Sequence, residues 1–131
     1  MIATAKSASQ MVADAKTRVE NLSPDTVNAE MDAGDVLLVD LREPEEVRQS
    51  GLIPGAIHAP RGMLEFYADP TSPYHRAEFN PERRTILYCA SGGRSALAAE
   101  TLRGLGYSNI AHLDGGIKAW QAAGMPIEAG D

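Results

Sequence analysis

The residues best suited to chemistry lie in one short stretch that contains the protein's single cysteine. Cys89 follows the apolar run 85–88, which is typical of a buried strand. After it, leucine and alanine recur at helical spacing over residues 96–105. The sequence therefore predicts a thiol at the turn from a strand into a helix.

A turn of this kind can stabilise an anion, because the first N–H groups of a helix have no partner and the peptide dipoles place positive charge there. The residues after the cysteine are small, flexible or polar: Ala90, Ser91, Gly92, Gly93, Arg94 and Ser95. Their amides can converge on one point, Arg94 adds a permanent charge, and Ser95 can hydrogen-bond the sulfur or cap the helix. We expect these features to favour the thiolate of Cys89, the reactive form of a cysteine.

The alternative is that Cys89 is a packing residue, since free cysteines are among the most buried side chains. The flanking sequence argues against this, because a packing cysteine does not need a Gly-rich, Arg-bearing loop after it. A buried, protonated and unreactive Cys89 would contradict an active site here.

Composition excludes several classes of function. The chain has 131 residues, a net charge of −6 and a pI near 5.0, which predicts one domain and argues against a nucleic-acid or anionic-membrane surface. A single cysteine excludes an intrachain disulfide and favours a reducing, cytoplasmic setting. No apolar run approaches the ~20 residues of a membrane span. His75 and His112 lack metal-ligand spacing with Cys89, so we predict no metal.

Strand and helix signals alternate along the chain. Amphipathic spacing predicts a helix over residues 2–19, Ser23 and Pro24 mark the start of another that ends before Gly34, and residues 36–39 form an apolar run typical of a parallel strand. Further strands are predicted near residues 56–59 and 109–113. This alternation predicts an α/β fold with a parallel sheet covered on both faces.

Charged residues also lie at predicted strand ends. Asp40 and Arg42 follow the strand 36–39, at the sheet edge where α/β proteins bind ligands, and are expected to support the site through ion pairs. Arg61 begins a short helix before a long polar loop, and could bind an anionic donor in a pocket walled by Met63, Phe66 and Tyr67. The alternative is that Arg61 is solvated and the apolar side chains belong to the core.

The spacing Cys-x-x-Gly-x-Arg-Ser, from Cys89 to Ser95, resembles the active-site loop of rhodanese-type sulfurtransferases. Three other segments resemble the same family in the same order: LVDLREPEE at 38–46, GLIPGAI at 51–57 and LDGGIKAW at 113–120. The similarity spans roughly residues 22–128. Leu52 departs from the pattern, because the family usually has histidine at this position.

This resemblance implies a single rhodanese-like domain over residues 21–131, preceded by an N-terminal helical extension over residues 1–20. It also implies a sulfurtransferase without a cofactor, in which Cys89 takes a sulfane sulfur from thiosulfate or a similar donor as a persulfide. Because the chain has no second cysteine, the acceptor must be an external thiol or cyanide. The N-terminal helix is a candidate contact for a homo-oligomer.

Two other functions stay open on the sequence. Cysteine phosphatases and arsenate reductases also join a strand to a helix through a loop that contains cysteine and arginine. Their loop has the spacing Cys-x5-Arg, whereas four residues separate Cys89 from Arg94. A non-catalytic binding module with the same fold is the other alternative, because a fold does not imply a function.

Overall fold

The computed structural model describes residues 5–130 and contains one parallel five-stranded sheet. Its strands are β1 (Glu20–Leu22), β2 (Val36–Asp40), β3 (Ile57–His58), β4 (Arg84–Tyr88) and β5 (Ile110–Leu113). The spatial order is β1-β5-β4-β2-β3, with Asp40 of β2 in register with both Tyr88 of β4 and His58 of β3. The α/β class and the parallel sheet predicted from the sequence are confirmed.

The helices lie between the strands in sequence. They are α1 (Ala8–Lys16), α2 (Pro24–Ala33), α3 (Pro44–Ser50), α4 (Leu64–Ala68), α5 (Gly93–Gly104) and α6 (Gly116–Ala122), with a short 3-10 helix at Arg61–Met63. Ser23 caps α2 by accepting a hydrogen bond from the Thr26 amide, with Pro24 in the first turn as the sequence predicted.

Helices cover both faces of the sheet. One apolar cluster joins the sheet to α4 and α5 through residues such as Leu64, Ala98 and Leu102. The other joins it to α2 and α6 through Val27 and Trp120. Each face of the central strands therefore buries apolar side chains, which explains the apolar residues 36–39 of β2 and 86–88 of β4.

The N-terminal helix is shorter than predicted. Of the predicted range 2–19, residues 2–4 lie outside the described residues, and α1 begins at Ala8 because Ser7 and Gln10 form a capping box. It ends at Lys16, where the Asn21 side-chain amide donates to the carbonyls of Lys16 and Val19 and turns the chain into β1. Helix α1 packs on α5.

The strand order creates a crevice at one edge of the sheet. The chain leaves β2 toward β3 but leaves β4 toward β5, so the two connections diverge between neighbouring strands. Ligands of open α/β sheets bind at such a switch point, beyond the carboxyl ends of the strands. Both Asp40 and the Cys89 loop lie at this edge. Within residues 5–130, no helix is long and apolar enough to cross a membrane.

We predict that Leu38→Ala lowers the free energy of unfolding by about 2–5 kcal/mol, because it removes a fully buried side chain from the sheet and leaves a cavity. The measurement is urea unfolding followed by circular dichroism. Met11→Ala is the control, since Met11 is 48% exposed and its truncation is expected to cost under about 0.5 kcal/mol. Equal losses in the two variants would contradict this description of the core.

Candidate active site

Cys89 lies directly after β4, and its sulfur points into the loop that begins α5. The Gly92 amide donates a hydrogen bond to Sγ at 3.2 Å. Gly92 adopts φ +108°, a conformation that L side chains rarely accept, and this turn directs its amide at the sulfur. Cys89 is 1% exposed, so a reagent must be small or the loop must move for the sulfur to be reached.

Ser95 lies in the first turn of α5 and contacts the sulfur from the other side. Its Oγ is 3.6 Å from Cys89 Sγ and 3.4 Å from the Gly92 carbonyl oxygen. The residue is fully buried. Of the two roles predicted for Ser95, the structure shows the contact with sulfur, whereas the N-cap position of α5 is Gly92.

Arg94 points to a carboxylate across the crevice. Its guanidinium makes a bidentate pair with Glu46 of α3, at 2.8 and 2.9 Å. The hydrogen bonds from Arg94 are the main reason that the pKa of Glu46 falls from 4.5 to about 2. The same pair raises the pKa of Arg94. The positive charge that Arg94 was expected to add to the loop is therefore neutralised by Glu46.

Asp40 and Arg42 form a buried ion pair below the loop, with Arg42 Nη2 2.8 Å from Asp40 Oδ2. Asp40 Oδ1 also accepts from the Arg42 amide, and Arg42 Nη1 donates to Ser50 Oγ at 2.6 Å. The guanidinium carbon lies 6.0 Å from the centre of the Tyr88 ring. The contacts show that Asp40 and Arg42 are held to each other and to α3, and their support of the site stays a prediction.

The first turn of α6 packs directly on the Cys89 loop. The Ile117 amide donates to the Cys89 carbonyl at 2.9 Å, and the Lys118 amide donates to the Ala90 carbonyl at 3.1 Å. A Cβ at Gly116 would lie 2.5 Å from the Ala90 carbonyl group, which explains the glycine at this position. The backbone of Gly116 therefore approaches the Cys89 loop closely.

A cavity of about 250 Å³ opens beside the loop, between α3 and α6. Its lining includes Arg42, Glu46, Ala90 and Lys118. Ser91 is exposed at the tip of the loop and Gly93 is half-buried. The site therefore combines a buried sulfur with an adjoining polar space large enough for a small molecule.

A family model described as a rhodanese-like domain matches residues 23–123. The chain belongs to the rhodanese-like sulfurtransferase family. A relative from Allochromatium vinosum named sulfurtransferase is 40% identical over 98 residues, which cover 75% of this chain and 83% of the relative.

Two solved structures share the fold of this chain. A Rhodopseudomonas palustris protein, described as of unknown function and as a possible tyrosine phosphatase, is 41% identical with a TM-score of 0.89, covering 98% of this chain and 99% of that one. A thiosulfate sulfurtransferase from Pseudomonas aeruginosa is 27% identical with a TM-score of 0.76, covering 95% of this rhodanese and 23% of that chain.

The structure places Arg61 away from the Cys89 loop contacts. Its guanidinium donates to Glu65 at 2.7 Å and to Thr101 at 3.5 Å, and it does not line the cavity beside Ala90. Of the apolar residues predicted to wall the pocket, Phe66 is 51% exposed and stacks edge-on with Tyr74. Because the Arg61 guanidinium pairs with Glu65, one helical turn away, it is not directed at the Cys89 loop.

Sequence reasoning missed two residues that complete the surroundings of the sulfur. His112 of β5 lies 2.8 Å from Ser95 Oγ, and its other ring nitrogen lies 2.7 Å from Asn21 Oδ1 of β1. A histidine within an otherwise apolar strand was the available signal. Among residues 5–130, no group of His, Cys, Asp and Glu side chains is arranged to bind a metal ion.

We predict that Gly116→Ala destabilises this rhodanese by about 1–3 kcal/mol more than Gly124→Ala, because the added methyl group overlaps the Ala90 carbonyl. Gly124 is the matched control, since it also has a positive φ of 77° but open space around its Cα. Urea unfolding measures the difference. Equal destabilisation would mean that the loop does not depend on this close approach.

We also predict that acidification weakens the fold through Glu46. Because its pKa is about 2 in the folded protein and 4.5 otherwise, its contribution to stability is complete above pH 4.5 and is lost as the pH falls toward 2. When the free energy of unfolding is measured across this pH range, it should fall less for Glu46→Gln than for the unchanged protein. Glu82→Gln changes an exposed site and should show the same pH dependence of unfolding as the unchanged protein. If Glu46→Gln also shows that pH dependence, the prediction is refuted.

Proposed function

We propose that this rhodanese transfers a sulfane sulfur through Cys89. The observation that carries the proposal is the position of the sulfur at the end of β4, with the Gly92 amide donating to it at 3.2 Å. An amide in this position stabilises a thiolate. When a second sulfur is added, the amide can also stabilise the negative charge of the persulfide. Family membership and the relative named sulfurtransferase support the same reaction class.

In the proposed first step, the Cys89 thiolate attacks the outer sulfur of thiosulfate or a similar donor. A bond forms between the two sulfurs, and the S–S bond of the donor breaks with its electron pair leaving on sulfite. In the second step, a thiolate or cyanide attacks the outer sulfur of the persulfide and releases the Cys89 thiolate. No cofactor is required, because the sulfur moves with its six valence electrons in both steps.

The geometry suggests how an anionic donor is received. Arg94 is already paired with Glu46, so its positive charge is not free to attract the donor. Lys118 is exposed on the wall of the cavity beside Ala90, and its backbone is fixed to the loop by the hydrogen bond to the Ala90 carbonyl. We propose thiosulfate-type anions as donors, a reduced thiol or cyanide as acceptor, and the cytoplasm as the setting.

The experiment is intact-mass analysis after incubation with thiosulfate. We predict that the protein gains one sulfur atom and that cyanide removes it, because the outer sulfur of a persulfide is electrophilic. Cys89→Ser is the matched control and should gain nothing. Absence of the gain on folded, reduced protein would reject thiosulfate as the donor. In a parallel assay, hydrolysis of an aryl phosphate would favour the phosphatase reaction named for the Rhodopseudomonas relative.

A further inference from the structure

A chain of three polar contacts links the Cys89 sulfur to the edge strand of the sheet. Ser95 Oγ lies 3.6 Å from Sγ and 2.8 Å from His112 Nδ1. On its other side, His112 Nε2 lies 2.7 Å from Asn21 Oδ1. Ser95 and His112 are fully buried, so these contacts are protected from water. These contacts connect Cys89 to Asn21, which precedes residues 23–123, the range that the family model matches.

The hydrogen bonds of Asn21 determine which nitrogen of His112 carries the proton. The Asn21 amide nitrogen donates to the carbonyls of Lys16 at 2.9 Å and Val19 at 3.1 Å. Its Oδ1 atom must therefore face His112, and an amide oxygen can only accept. The contact requires a proton on Nε2. In a neutral imidazole, Nδ1 is then an acceptor.

His112 is neutral near pH 7. Burial is the main cause that lowers its pKa from 6.5 to about 4, while Asp114 raises the pKa and Lys16 lowers it. Asp114 and Lys16 form an ion pair with each other at 3.1 Å. A base this weak is poorly matched to the proton of an ordinary thiol, whose pKa is about 8.5, so His112 is not suited to deprotonate Cys89.

The orientation of the Ser95 hydroxyl follows from this tautomer. Because His112 Nδ1 is an unprotonated acceptor 2.8 Å away, the hydroxyl donates its proton to the ring. Ser95 then presents oxygen lone pairs to Cys89, which can accept from a thiol but give nothing to a thiolate. Within residues 5–130, the Gly92 amide is the donor that faces Sγ.

We propose that His112, oriented by Asn21, is a positioning residue that withholds the Ser95 proton from Cys89 and so limits the hydrogen bonds donated to its thiolate. A thiolate with fewer donors forms less readily but attacks faster once formed. This arrangement thus makes the Cys89 thiol harder to ionise and its thiolate a stronger nucleophile. The inference rests on the proposed function only in treating Cys89 as the nucleophile.

The test compares His112→Leu with the unchanged protein in alkylation by iodoacetamide, a small uncharged reagent. Without the ring acceptor, Ser95 can donate to the sulfur. One hydrogen bond should then make alkylation about twofold to fourfold faster at mildly acidic pH and about twofold to threefold slower at alkaline pH. Intact mass over time measures both rates. A change in the same direction at both pH values, or no change, would overturn the proposal.

Ser95→Ala supplies the matched background. It has no hydroxyl, so adding His112→Leu to it should change neither alkylation rate. The same pH-dependent crossover in the Ser95→Ala background would overturn the proposal. His112→Asn is the conservative variant, because its amide oxygen can replace Nδ1 as acceptor, and it should behave like the unchanged protein. Behaviour like His112→Leu would count against the proposal.

A spectroscopic measurement covers the case in which the His112 variants do not fold. In the unchanged protein, long-range proton–nitrogen NMR correlations of His112 should show the neutral tautomer with the proton on Nε2 at neutral pH. A proton on Nδ1, or on both nitrogens, would overturn the proposal. Neither test uses a sulfur donor, so failure of thiosulfate to modify Cys89 would leave both results interpretable.

Discussion

The close approach of the Gly116 backbone to the Cys89 loop is the constraint on which the active site depends. Two peptide carbonyls of the loop accept hydrogen bonds from the first amides of α6, and a side chain at Gly116 would occupy the space between them. These bonds hold the start of the loop against α6, and the end of the loop continues directly into α5. The sulfur can then point at an amide of its own loop because the rest of the loop has little freedom to move.

The arginine side chains near the site form ion pairs with carboxylates of the protein. Arg42 is buried on Asp40, Arg94 is paired with Glu46, and Arg61 is paired with Glu65. Removing one partner of a buried pair typically costs about 3–5 kcal/mol, so Asp40 and Arg42 are needed for the architecture of the crevice. If the substrate is the anion proposed above, its attraction must come from dipoles of the loop and from exposed cations such as Lys118.

The segment before residue 23, the first residue matched by the family model, contributes to the site as well as to the fold. Helix α1 packs on α5, and Lys16 forms an ion pair with Asp114 in the turn before α6. Asn21 caps the end of α1 with its amide nitrogen and contacts His112 with its oxygen. One short side chain thus links the path of the N-terminal segment to the environment of the Cys89 sulfur.

The sequence by itself determined the local structure and the position of Cys89. The apolar run before Cys89, the glycines after it and the helical spacing beyond them specify a strand–loop–helix unit through interactions among neighbours in the chain. The start of α2 at Ser23 is similarly local. The length of α1 was predicted less well, because its end depends on the Asn21 side chain and not on periodicity.

The tertiary structure decided which distant groups meet. Arg94 pairs with Glu46, 48 positions earlier, and His112 contacts Asn21, 91 positions earlier. Neither contact has a spacing that can be recognised in the sequence, because each depends on the order β1-β5-β4-β2-β3 that brings those segments together. Local patterns in the sequence thus located the Cys89 thiol, whereas its electrostatic and hydrogen-bonding surroundings follow from long-range packing.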